Sequence, residues 1–251
     1  MHVSHNALPP WKTVDKNGTP GGIDVELLKL LADRMSLSAE LTNLPFKRGL
    51  KMLETGDIDL MTGILRRPER EDYVFFISPP YKTSTNKAFF VLKGNETLIT
   101  KHEDLYNLRI GTKLGSQYYP QFDNDRAIPK NPVSNDQLSI KMLMAGRIDT
   151  FVMTESTGDY YIAQSGLSDT ITKAEFAHRK EQNVYMVLSK ESKHAHRLDE
   201  FNKVMAELIA EGAFETIRAQ FFNQTSRQYA GTKPRHVSPQ KHTRPQAPSQ
   251  K

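Results

Sequence analysis

Between residues 22 and 35 the apolar side chains fall at Ile23, Leu27, Leu30, Leu31 and Met35. That three-and-four spacing marks one face of a helix and predicts a helix over 22–35. Asp24 and Glu26 lie in its first turn, where the helix dipole favours negative charge. A second helix is predicted over 44–55, led by Pro45. The continuous apolar runs KAFFVL (87–92) and NVYMVLS (183–189) read as buried strands. Between them the pattern alternates, with short strands or helices predicted at 108–112, 116–123, 134–145, 148–153 and 155–165. Helices follow at 194–210 and 212–222, with Phe201, Val204, Met205, Leu208 and Ile209 on one face. Alternating β and α elements predict an α/β protein with mainly parallel sheets.

An internal echo adds a second level of organisation. Residues 51–59 read KMLETGDID and residues 141–149 read KMLMAGRID, 90 positions apart. Each copy runs from a helical pattern through a glycine (Gly56, Gly146) into an apolar run. A glycine there suits the left-handed end of a helix, and the run suits a buried strand. Two copies are too few for a solenoid and predict two Rossmann-like lobes instead. Asp59 and Asp149 recur at the entry to each run, which predicts a structural role such as a turn or cap. The strands 87–92 and 183–189 are read as the two crossings, a two-strand hinge. The first lobe is then 1–92 plus 183–222, with 93–182 inserted as the second. Residues 223–251 carry no large apolar side chain except Tyr229 and Val237, and predict a disordered basic tail.

The chain's 251 residues carry a formal charge of +5. Arg227, Lys233, Arg235, Lys241, Arg244 and Lys251 hold that surplus in the tail, so residues 1–225 are near neutral. A basic nucleic-acid-binding body is therefore not expected. Without cysteine the chain has no disulfide and no thiol chemistry. The eight histidines show no zinc-ligand spacing, so no metal or other cofactor is expected. No apolar run approaches membrane-spanning length. Hydrolase, phosphate-loop and dinucleotide signatures are absent.

Several stretches, in order and spacing, resemble the family 3 extracellular solute-binding proteins that serve amino acid ABC importers. They are PPW (9–11), NGTPGGIDVELLKLLADRM (17–35), LETGDIDLMTGILRRPERED (53–72), ISPPY (77–81), LRIGTKLGSQYY (108–119), AGRIDTFVMTE (145–155) and NKVMAELIAEGAFETI (202–217). The resemblance implies the type II periplasmic binding protein fold. It also implies a non-enzymatic monomer that captures a small polar solute, an amino acid or related carboxylate, for a membrane permease. A periplasmic location follows from the resemblance alone, since MHVS at the start shows no signal peptide.

The resemblance implies a set of ligand contacts. Arg70 would grip the ligand carboxylate, for which a planar guanidinium is well shaped. Trp11 would stack on the ligand, and Thr62 and Gly63 would line the pocket. The turn at Leu114–Gly115–Ser116–Gln117 would open a helix, with Ser116, Gln117 and free backbone N–H groups turned to the carboxylate. Relatives place an aspartate where this chain has Thr154, followed here by Glu155. Two alternatives share the scaffold. One is a sensor module, and the other a cyclohexadienyl or arogenate dehydratase-like enzyme, for which Glu155 or Glu69 would have to be a buried general acid.

Overall fold

The computed structural model describes residues 1–229. The chain opens with β1 (His2–His5), the short ribbon β2 (Thr13–Val14) and β3 (Pro20–Gly21), α1 (Ile23–Arg34) and β4 (Glu40–Asn43). It continues through α2 (Phe46–Thr55), β5 (Leu60–Leu65), α3 (Pro68–Glu71), β6 (Val74–Phe76) and β7 (Lys82–Ser84). A second group follows: β8 (Lys87–Leu92), β9 (Ile110–Lys113), α4 (Pro120–Asn124), β10 (Lys130–Val133), α5 (Asp136–Met144), β11 (Thr150–Thr154), α6 (Glu155–Gln164) and β12 (Ile171–His178). The chain then returns through β13 (Glu181–Ser189), α7 (Leu198–Ala210) and α8 (Ala213–Tyr229).

Two large sheets result. The first runs β4-β1-β5-β13-β6 with β7 also on β13, and the second runs β10-β9-β11-β8-β12. Both are mixed rather than mainly parallel. The parallel halves are β4-β1-β5 and β10-β9-β11. The strands next to the crossings, β8 and β13, join antiparallel, because the chain enters each sheet from the side of the other.

The crossings sit a few residues from their expected places. Lys87–Leu92, expected to close the first lobe, is an interior strand of the second sheet, paired with β11 and β12. The chain leaves the first sheet between β7 and β8 and returns between β12 and β13. There the Thr85 N–H donates to the Lys180 carbonyl at 2.9 Å. Flanking pairs Ser84–Glu181 and Lys87–His178 make the two passes one continuous antiparallel ribbon. The apolar runs at 87–92 and 183–189 reflect sheet interiors on either side of that ribbon.

Each sheet has apolar clusters on both faces. Helix α1 buries Ile23, Leu27, Leu28 and Leu31 against Val3, Leu60, Leu188 and the Phe201–Met205–Leu208 stripe of α7. Full burial of one such leucine stabilises by about 1.5–3 kcal/mol. The opposite face packs Leu53, Met61, Ile64 and Val187. In the second sheet Phe89 and Ile110 face one cluster, and Phe90, Phe151 and Ile162 the other.

The sequence echo is an echo of hydrogen bonds. The helices α2 and α5 are followed by Gly56 and Gly146, both at positive φ (79° and 64°). The N–H groups of Ile58 and Arg147 return to the carbonyls of Met52 and Met142. Then each aspartate clamps the neighbouring parallel strand. The Asp59 carboxylate accepts the His2 N–H at 2.7 Å, while the Asp59 N–H donates to the His2 carbonyl. Asp149 does the same with Arg109, accepting its N–H at 2.8 Å and donating to its carbonyl. Each clamp fixes the register of the pair beside it, β1 with β5 and β9 with β11.

Two further expectations are corrected. The helix expected over 116–123 is shorter and later, Pro120–Asn124. Pro120 forces Tyr119 into extended backbone (φ −156°, ψ 150°), so no helix passes through it from Ser116. Residues 223–229, expected in the tail, continue α8, where Thr225 is buried and bonds back to the Phe221 carbonyl. Phe221 stacks on Tyr160 of α6, which anchors this last stretch. Residues 230–251 of the expected tail lie outside the described residues.

Burial opposes ionisation of Asp59, but the Ser192 hydroxyl and the His2 N–H outweigh it and leave its pKa lowered. Its contribution to stability is therefore complete above the ordinary value of 3.8 and is lost as the pH falls through the lowered one. Asp59→Ala is expected to cost about 2–4 kcal/mol in urea denaturation at neutral pH. Its gap to the parent protein narrows in acid. A mutant of parental stability, or a gap that widens in acid, contradicts the clamp.

Candidate functional site

The first wall of the site is built where the loop after β1 meets the start of α1. The N–H groups of Ile23 and Asp24 donate to the carbonyls of Pro10 and Trp11, so the opening turn of α1 is capped by this loop. Gly22 makes the approach possible: it sits at φ 107°, and a Cβ there would lie 2.5 Å from the Trp11 carbonyl oxygen. Trp11 is buried and stacks on Phe214 of α8, with 6.2 Å between ring centroids and 10° between planes. The Lys82 ammonium stands 3.9 Å from the centroid of the Trp11 ring. The stacking surface expected for a ligand is thus already in contact with Lys82 and Phe214.

Beneath Trp11 lies a polar network that sequence patterning did not indicate. Lys12 is only 2% exposed, and its ammonium donates to the Asn6 side chain at 2.8 Å and to the Thr62 carbonyl at 3.2 Å. Asp24 is buried and accepts a hydrogen bond from the Tyr81 hydroxyl at 2.9 Å. Burial raises the Asp24 pKa, against the pull of Lys12. Burial likewise lowers that of Lys12, against the pull of Asp24. The Tyr81 phenol is pushed well up by burial and the Asp24 carboxylate. Lys82 is brought down to about 8, chiefly by burial. Gly63, at φ 77°, has both Asp24 Oδ2 and Lys12 Nζ 3.4 Å from where a Cβ would stand. Thr62 is buried beside it and contributes its carbonyl to Lys12.

The second wall comes from the end of β11 and the start of α6. Thr154 Oγ1 accepts a hydrogen bond from the Lys87 ammonium at 2.7 Å. Glu155 uses both oxygens, one for Lys173 at 2.9 Å and one for the Asn86 amide at 3.0 Å. Burial would raise its pKa, but those two partners hold it lowered. Asp159 shares Lys173 at 3.1 Å and is raised by burial.

These walls enclose a cavity of about 270 Å³ beside the crossing ribbon. Trp11, Tyr81 and Lys82 face it from the first sheet's side, Thr83 to Asn86 from the crossing, and Thr154, Glu155, Ser156 and Asp159 from the second. Phe214, Glu215 and Arg218 of α8 complete it. Of the expected contacts, Trp11, Thr154 and Glu155 meet here, while Thr62, Gly63, Arg70, Ser116 and Gln117 do not line it. Arg70 is buried on α3, donates to the Leu65 carbonyl at 2.8 Å and lies 5.9 Å from the Phe46 ring centroid. It has no carboxylate within ion-pair distance among the described residues. Ser116 and Gln117 are exposed on the turn after β9. The Ser116 N–H donates to the Lys113 carbonyl, so it is not free as expected. Among the described residues no group of three His, Asp or Glu side chains could hold a metal ion. Nor is any helix there long and apolar enough to cross a membrane.

Residues 2–224 match the family model of the bacterial extracellular solute-binding proteins, family 3. The chain belongs to that family. Among family 3 relatives it is similar to the ABC transporter arginine-binding protein 1 of Escherichia coli (strain K12), 26% identical over 86% of this chain and 87% of that protein. It is also similar to the L-cystine-binding protein TcyJ of the same strain, 23% identical over 85% of this chain and 79% of that protein. Its fold is similar to that of substrate-binding domain 2 of GlnP from Lactococcus lactis, solved in an open conformation. There the TM-score is 0.71 at 20% identity, covering 88% of this chain and 93% of that one.

The signal for the missed network was present in part. Lys12 follows Trp11, Asp24 sits in the first turn of α1, and Tyr81 closes the ISPPY stretch. Periodicity assigns a buried lysine no place, and only the fold brings these three together. Asp24→Ala removes the carboxylate that acts on buried Lys12. It is expected to lower stability by about 3–5 kcal/mol in urea denaturation. An unchanged midpoint contradicts a stabilising role for the network.

Proposed function

We propose that this protein captures a small polar solute bearing a carboxylate, an amino acid or a close relative, and presents it to the membrane permease of an ABC importer. The observation that carries the reading is the cavity between two sheets joined by a hydrogen-bonded two-strand ribbon. A joint of that kind lets two lobes, roughly 1–86 with 181–229 and 87–180, close over a solute. The solute favours the closed state by the difference in its affinity for the two states. The family's role outside the cytoplasm and the names of the arginine- and cystine-binding relatives support the ligand class. Action as a monomer in the periplasm is part of the same proposal.

Arg70 is proposed as the carboxylate partner, reached when the lobes close. Its guanidinium is held by Leu65 and has no carboxylate within ion-pair distance among the described residues. Thr62 and Gly63, on the strand that leads to it, and Ser116 and Gln117, on the opposing turn, are proposed as flanking contacts. Binding rather than turnover is supported by the state of the two carboxyls, either of which a dehydratase would need as its general acid. Glu155 is held ionised by Lys173 and Asn86, and Glu69 is exposed beside Arg67. Neither is placed to give up a proton.

The indole of Trp11 reports the site, since its neighbours Lys82 and Phe214 border the cavity. Titration with amino acids and small carboxylates is expected to change its emission and raise the melting temperature. Arg70→Ala is expected to weaken the response by about tenfold or more with little change in the unliganded melting temperature. No fluorescence or thermal response to any solute tried, or an undiminished response in Arg70→Ala, counts against the reading.

A further inference from the structure

We infer that the solute carries a second anionic group, received by the ammonium groups of Lys82 and Lys87. The inference rests on the solute-binding reading and specifies its ligand. Lys82 lines the cavity, and Lys87 stands on the hydroxyl of Thr154, which lines it too. Neither ammonium has a carboxylate within ion-pair distance among the described residues. Lys82 is held over the Trp11 ring and Lys87 on a neutral hydroxyl.

The acids of the cavity are differently placed. Both oxygens of Glu155 are used, Asp159 shares Lys173, and Glu215 is bonded to Arg218 at 2.8 Å. Asp24, the buried carboxylate nearby, faces two cations, Lys12 and Lys82. Lys82 therefore shares that carboxylate with Lys12, while the acid that acts on Lys87, Asp123, lies beyond ion-pair distance and accepts the Tyr118 N–H. Lys82 and Lys87 also repel each other, and burial penalises both charges. An anion set between them restores the interactions that both lose on leaving water. A ligand ammonium or guanidinium would meet the opposite situation, since the neighbouring acids are already bonded and Thr154 already accepts from a cation. The chemistry fits a dicarboxylate or an acidic amino acid and disfavours a cationic one.

The test is calorimetric titration of the full chain, freed of carried-over ligand by denaturation and refolding. L-glutamate, L-aspartate and succinate are compared with L-glutamine and L-arginine. At least one acid is expected to bind about tenfold or more tighter than glutamine and arginine. Binding of succinate or of an acidic amino acid each supports the inference, and the stronger of the two tells whether an α-ammonium is accepted. Lys82→Gln and Lys87→Gln are each expected to weaken the acid by about tenfold or more, with Lys82→Arg and Lys87→Arg retaining most of the affinity. Circular dichroism melts confirm that the variants fold. Tighter binding of glutamine or arginine overturns the second anion and leaves solute capture standing. Acid binding unchanged in both folded glutamine variants overturns the assignment to these lysines. Binding of none of the five overturns the inference and counts against solute capture as well.

Discussion

The contact on which the rest of the molecule depends is between two crossing segments, where the Thr85 N–H meets the Lys180 carbonyl. Two passes of a chain between two sheets could have been independent linkers. Here they are neighbouring strands of one ribbon, extended on one side by Ser84 and Glu181 and on the other by Lys87 and His178. A ribbon resists sliding and shear but bends and twists at small cost. Motion of one sheet against the other that keeps these pairings is a bend or twist of the ribbon. The cavity lies beside it, so a small rotation changes the distance between its walls.

On each side the sheets are made stiff enough for such rotation to be meaningful. The two aspartate clamps hold β1 to β5 and β9 to β11 by the same pair of hydrogen bonds. The glycines ahead of them reverse the chain from helix to strand at positive φ. Helix α8 adds a constraint of a different kind. Its Phe214 packs on Trp11 and Tyr81 of the first sheet's side, and its Phe221 on Tyr160 of the second. Any closure must either pivot about that helix or exchange one of these aromatic contacts.

Much of this was legible in the sequence, for reasons particular to each element. The stripe from Ile23 to Met35 is a helix because one face meets the core. The echo at 51–59 and 141–149 is duplicated architecture because each copy bends at a glycine of positive φ and closes the same clamp. What was not legible depended on neighbours distant in sequence. KAFFVL at 87–92 is apolar because it is interior to the second sheet, and a run of apolar residues does not say which sheet it enters. The helix expected from Ser116 was stopped by the local effect of Pro120 on Tyr119. The buried lysines of the site were invisible because only the assembled fold sets Lys12 against Asp24 and Thr62. Residues 223–229 looked like tail by composition, and become helix because α6 offers Phe221 a partner.

The family assignment, the ribbon and the cavity together make closure over a solute the central claim. Small-angle X-ray scattering tests it most directly, on ligand-free protein before and after addition of the solute recovered from freshly purified, denatured material. A fall in radius of gyration on saturation, absent with a solute that does not bind, is the predicted result. A radius unchanged at full occupancy would contradict closure about the Thr85–Lys180 ribbon.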